Sequence, residues 1–144
     1  MQVASHTDAC HTGARGESSF ANHFVEERRF ISQPLYDLWG ADFVVEWKGA
    51  LCKVNVKVMY WDRGRYKVGL TRGGSLNRDT HKKEARVYSD AEVNYFGVVN
   101  LYYKRIWMVP LEATLGRKTL SFKGPLEKEY FTINPFDWEK YRIK

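Results

Sequence analysis

The chain has 144 residues, of which 44% are hydrophobic and 28% charged, with a formal net charge of +6. That length suits one domain around one core, and the composition is globular, not disordered or fibrous. No run approaches the ~18 apolar residues a membrane-spanning helix needs, while a pI of about 9.3 favours polyanionic partners.

Residues 1–15 are small and polar and read as a flexible tail preceding one domain over 16–144. They lack the apolar stretch of a secretory signal. His6, Asp8, Cys10 and His11 lie close together there, but their spacing matches no zinc pattern. Cys10 and Cys52 form no disulfide framework, so a reducing, cytoplasmic setting is expected.

Residues 16–30, GESSFANHFVEERRF, read as a helix. Phe20, Ala21, Phe24 and Val25 form its apolar stripe, Ser18 is a candidate cap, and Glu17 suits the positive end of the helix dipole. His23 lies one position off the stripe, and Pro34 stops any continuation.

A dense β region follows. In 42–48, DFVVEWK, Phe43, Val45 and Trp47 point one way and Asp42, Val44 and Glu46 the other. In 51–59, LCKVNVKVM, Val54, Val56 and Val58 share one face and Lys53, Asn55 and Lys57 the opposite one. The Lys48-Gly49-Ala50 turn joins the two runs into a β-hairpin. Residues 65–71, RYKVGLT, read as a third strand.

Residues 72–86 carry Gly73-Gly74, five basic residues and little apolar content, which is a loop. Residues 95–101 and 104–110 read as two strands joined by a short turn, and 119–123 as a weaker strand. The last piece, NPFDWEKYRIK, fits either a short helix or an extended edge. The fold class expected is α/β (α+β), one domain with a central mixed sheet flanked by helices.

One constellation carries chemistry. Asp42 opens one strand of the hairpin, and Asn55 and Lys57 emerge together from the other, because residues two apart share a face. Glu17, on the preceding helix, is a candidate for the same place. Two oxygen ligands, a helical glutamate and a lysine suit Mg²⁺, or Mn²⁺, acting on a phosphoryl group. The lysine would hold water or offset charge as it builds on phosphorus.

These segments resemble the PD-(D/E)XK nuclease superfamily, the restriction-endonuclease-like fold. The likeness is to small phage and group I intron-associated endonucleases and to Holliday junction resolvases. It spans residues 16–111 and includes Gly16-Glu17, PLYDLWGADFVVEW around Asp42, VNVKV over 54–58, RYKVGLTR, EVNYFGVVN and RIWMVPLE. The resemblance implies that Asp42 is a metal-binding aspartate and Lys57 the catalytic lysine. It makes Glu17 an auxiliary helical acid and puts Asn55 at the Asp/Glu position of the motif.

Asn55 departs from the pattern: it keeps an amide oxygen but gives up a charge and, against glutamate, a methylene of reach. Glu46 shares Asp42's face but lies about 13 Å along the strand, at ~3.3 Å per residue. Asn94 stands where relatives often carry an acid, a second loss of charge.

The function expected is a Mg²⁺-dependent DNA endonuclease of homing, restriction or junction-resolving type. Arg63, Arg65, Arg72, Arg78, Lys82, Lys83 and Arg86 would hold the backbone, while His81, in the same basic loop, could meet a phosphate but is left unassigned. A single small domain that cuts both strands needs a second copy, so a homodimer or larger is expected. The alternatives are a nuclease-fold protein that binds DNA without cutting, and a protein-interaction domain using Tyr60, Trp61, Tyr102 and Tyr103.

Overall fold

A computed structural model describes residues 6–35, 40–72, 86–122 and 136–144. The loop residues Arg78, His81, Lys82 and Lys83 lie outside the described residues.

The first element is helix α1, His6–Glu26. Phe20 and Phe24, four residues apart on one face, are both fully buried. The helix ends in two bonds: Arg28 N–H to Val25 O at 3.0 Å and Arg29 N–H to Phe24 O at 2.9 Å. Arg28 adopts a left-handed φ of 56°, so the end is a Schellman-type cap built without glycine. The helix begins ten residues before the start that its apolar stripe marks, because its first turns have no apolar stripe to read. Val25, assigned to that stripe, is 63% exposed. One step beyond Phe24, it turns away from the sheet.

The strands are β1 (Ile31–Ser32), β2 (Phe43–Trp47), β3 (Ala50–Val58), β4 (Tyr60–Asp62), β5 (Arg65–Gly69), β6 (Thr71–Arg72), β7 (Arg86–Val87), β8 (Tyr95–Asn100), β9 (Arg105–Pro110) and β10 (Thr119–Phe122). Short 3-10 turns occupy Leu111–Thr114 and Glu139–Tyr141. The C-terminal piece is thus both helical and extended, since Arg142 also bridges to Trp107.

The main sheet runs β1-β2-β3-β8-β9. Strands β3 and β8 are parallel, with Asn55 beside Phe96 and Lys57 beside Val98, and the remaining pairs are antiparallel. The β2–β3 hairpin turns on Lys48 and Gly49, both at positive φ (50° and 81°), the geometry of a tight two-residue loop. A smaller sheet, β10-β5-β4, and a ribbon, β6-β7, complete the architecture. The run 65–71 is therefore two strands, interrupted at Leu70, whose side chain enters the core.

The two faces of the main sheet carry separate clusters. On one, Phe20 and Phe24 of α1 pack on Phe43, Val45, Val54, Val56, Val99, Ile106 and Met108. Gly97 makes this possible, since a Cβ there would lie 2.6 Å from the Phe20 ring. On the other face, Phe96, Val98, Trp107 and Val109 pack with Val68, Leu70, Tyr88, Leu120 and Phe122. Period-2 alternation splits β8 and β9 between the clusters. By the same alternation, Asn55 and Lys57 project away from α1, toward the small sheet and the ribbon. Among the described residues, no helix is long and apolar enough to cross a membrane.

Candidate functional site

Asp42, Asn55 and Lys57 meet where β2 begins and β3 approaches its end. Asp42 is tied to β3 on both sides of Asn55. Its N–H donates to Val54 O at 2.8 Å, and its carboxylate Oδ2 accepts the Val56 N–H at 2.7 Å. A carboxylate accepting a backbone N–H makes a charge-assisted bond, stronger than a neutral one. Asn55 is 7% exposed. Its Nδ2 donates to Gly40 O at 2.6 Å, while Oδ1 is buried and has no hydrogen-bond partner. A buried acceptor left without a donor costs about 1–3 kcal/mol, and this oxygen keeps its lone pairs available to a ligand.

The Lys57 ammonium donates to Thr71 O at 3.3 Å and Tyr88 Oη at 3.2 Å, and lies 5.0 Å from the Tyr88 ring centroid. Burial pushes it below the usual lysine range, and the nearby negative charge of Asp42 opposes that shift. The ribbon and the residue that follows it therefore anchor this side chain. Gly40, with φ of 80°, fits beneath them: a Cβ there would meet Tyr88 at 3.2 Å and Arg72 at 3.6 Å.

Glu17 is half-buried on α1. The preceding Gly16 is pressed so close to Val58 that a Cβ would collide with it. Glu17 thus belongs to the helix that covers the Val54/Val56 face, whereas Asn55 and Lys57 face the opposite side. Glu46 pairs with Leu51 toward the hairpin's turn, away from the others. Asn94, read as a lost acid, bridges two strands. Its Oδ1 accepts Lys53 N–H at 2.8 Å and its N–H donates to Lys53 O at 2.8 Å. Among the described residues, no group of three or more His, Cys, Asp or Glu is placed to hold a metal.

Arg72 and Arg86, read as loop residues, face each other across the β6–β7 ribbon and both pair with Glu92. Sequence reasoning did not single out Glu92, which is buried and held at a pKa of about 2, above all by the Arg86 guanidinium. Arg63 and Arg65 sit on the β4–β5 hairpin, Arg63 at its turn with φ of 50°. Near them Trp61 packs edge-on against Tyr66 at 5.0 Å, and Trp61 and Tyr102 are exposed. His23 is buried, which lowers its pKa below the usual histidine value.

The donor set tests a metal. Asp42 supplies carboxylate oxygen, and Asn55 presents a buried amide oxygen with no protein partner. Both are hard oxygen donors of the kind Mg²⁺ and Mn²⁺ accept. The chemistry fits, at a lower charge than two carboxylates would provide.

No protein-family model matches the chain, and no curated protein sequence matches it. Among solved structures, it is similar to a bacterial homing endonuclease, I-Ssp6803I, with a TM-score of 0.72 and 17% identity over 91% of this chain and 86% of that one. At that identity the likeness concerns the fold: a mixed α+β nuclease-like architecture in one domain.

Proposed function

We propose that the protein is a DNA endonuclease of the PD-(D/E)XK type, hydrolysing phosphodiester bonds with Mg²⁺ or Mn²⁺. The observation that carries this reading is the convergence of Asp42, Asn55 and Lys57 on one face of the sheet, with Asn55 Oδ1 buried and unpartnered. The homing endonuclease with the same fold adds support.

Asp42 and Asn55 would hold the cation, while Glu17 stays with the helix on the other face of the sheet. The cation, when bound, supplies charge neutralisation at the phosphate and acidifies water. Lys57 presents N–H donors to the phosphoryl oxygens as their charge grows, from a partly desolvated position where such donors act strongly. Thr71 O and Tyr88 Oη keep that ammonium aimed. The Asp42 carboxylate is braced by the Val56 N–H, so it needs little reorganisation.

Arg63 and Arg65, with Arg78, Lys82 and Lys83, would form the basic complement to the DNA backbone, with affinity falling as salt rises, whereas the guanidiniums of Arg72 and Arg86 are paired with Glu92. A homodimer or larger assembly in the cytoplasm would place two such sites on two strands.

A second reading is favoured by the same asparagine. Its amide nitrogen is committed to Gly40 O, and the site has less negative charge than a full set of acids. A protein of this kind would bind DNA without cutting it.

Cleavage of plasmid and branched DNA with Mg²⁺, Mn²⁺ or EDTA separates the two. Metal-dependent cutting that disappears in Asp42→Ala and Lys57→Ala is expected. Cutting by Asn55→Glu but not by wild type would establish the binding-only reading. If no variant cuts or binds DNA, both fail.

A further inference from the structure

Glu92 lies between the ribbon and β8, with a side chain only 10% exposed. Its two oxygens collect five donors. Oε2 accepts from Arg72 Nη1 at 2.6 Å and from Arg86 Nη2 at 3.0 Å. Oε1 accepts from Arg86 Nη1 at 2.6 Å, Ser89 N at 3.3 Å and Ser89 Oγ at 3.2 Å. Arg72 and Arg86 are directly paired residues on the two strands of the ribbon. One carboxylate therefore fastens both strands at the same level.

The ribbon and the residue that follows it supply the two groups that hold Lys57. Thr71, whose carbonyl accepts from the Lys57 ammonium, immediately precedes Arg72. Tyr88, whose hydroxyl accepts from it too, follows Arg86 by two residues. The Tyr88 ring in turn stands edge-on against Phe96 at 5.5 Å, and Phe96 is the sheet neighbour of Asn55. Without the Glu92 charge, two guanidiniums would face each other across a ribbon of only two residue pairs, and like charges directly opposite are destabilising.

We propose that Glu92 is a positioning residue: by gathering Arg72 and Arg86 it fixes the β6–β7 ribbon over the sheet, and through Thr71 and Tyr88 it holds the Lys57 ammonium in place. Its importance for catalysis rests on the nuclease reading, but the positioning itself does not.

The test is Glu92→Gln, which keeps the shape and removes the charge. In wild type, NMR of the lysine ammonium groups should show Lys57 ordered and protected from exchange, unlike the exposed Lys48. In Glu92→Gln that signature should collapse toward the Lys48 behaviour, while the amide spectrum of β2, β3 and β8 is kept. An unchanged Lys57 signal in Glu92→Gln overturns the proposal. Should that variant fail to fold, Arg86→Lys keeps the charge but breaks the two-point fork. It should loosen Lys57 in the same direction, and an unchanged Lys57 would again overturn the proposal. In cleavage assays Glu92→Gln should lower kcat by about 10- to 100-fold with little change in KM, as misplacement of a reacting group does. A loss confined to KM would overturn the link to Lys57. Wild type that cuts nothing would defeat the nuclease reading, and the ammonium signal would still decide the role of Glu92.

Discussion

The carboxylate of Asp42 accepts the backbone N–H of Val56 at 2.7 Å. A side chain here does what a neighbouring strand's carbonyl does elsewhere in a sheet, and it brings a negative charge beside Asn55 and Lys57. Structure and chemistry therefore share one group, and two substitutions separate them. Asp42→Ala leaves the Val56 N–H without its acceptor and should cost about 1–3 kcal/mol. Asp42→Asn keeps an acceptor oxygen and should cost less than half of that. Both should abolish cleavage. Urea unfolding measured beside plasmid cutting checks the pair: equal stability losses would mean that the hydrogen bond contributes little.

Asn55 gives a prediction about metal affinity that needs no catalysis. In Asn55→Glu the Nδ2 bond to Gly40 O is lost and a charge is buried. Without metal the variant should be less stable than wild type by about 1–3 kcal/mol. A ligand that binds only the folded state raises its stability by mass action. Mg²⁺ should therefore raise the melting temperature of Asn55→Glu more than that of wild type. Thermal unfolding in EDTA and in millimolar Mg²⁺ measures both, and an equal Mg²⁺ shift in the two proteins would contradict a cation at this position.

Much of this site is legible in the sequence because it sits on a hairpin with clean alternation. Val54 and Val56 against Asn55 and Lys57 give the face, and Lys48-Gly49 gives the turn. What stays hidden has physical reasons. The first turns of α1 lack an apolar stripe, so periodicity is silent there. Strand β4 is only three residues long and β6 and β7 two each, shorter than any pattern can mark. Glu92 looks like an ordinary surface acid, since its meaning depends on Arg72, 20 residues away, and on burial. Asn94 has a second role that its place in the family pattern does not reveal: its amide oxygen and backbone N–H clasp Lys53 and tie β3 to the start of β8.

Gly97 and Phe20 form a packing pair that is testable by a mutant cycle. A Cβ at 97 would lie 2.6 and 2.8 Å from two carbons of the Phe20 ring, closer than unstrained contact allows. Gly97→Ala should cost about 1–3 kcal/mol through overpacking. Phe20→Ala should cost about 3–5 kcal/mol through the lost burial and the cavity. In the double variant the methyl occupies space the ring has left, so the combined loss should fall short of the sum by at least about 0.5 kcal/mol. Denaturant unfolding of the four proteins gives the coupling, and strict additivity would mean that α1 shifts to absorb the methyl.

Glu92 makes stability depend on acid in a defined window. Its pKa falls from an ordinary 4.5 to about 2, chiefly through Arg86, with Arg72 and Ser89 adding to the effect. A depressed carboxyl binds fewer protons folded than unfolded, so its contribution is present in full above about pH 4.5. It is lost as pH falls through that value toward 2. Glu92→Gln carries no such titration. Wild type should therefore be the more stable protein at pH 6, and the difference should shrink steadily between pH 4.5 and 2. Denaturant unfolding at pH 6, 4 and 3 would show the convergence. A gap that stays constant across the series would mean that the Arg72 and Arg86 pairs do not lower the Glu92 pKa, and that the carboxylate holds the ribbon by shape alone.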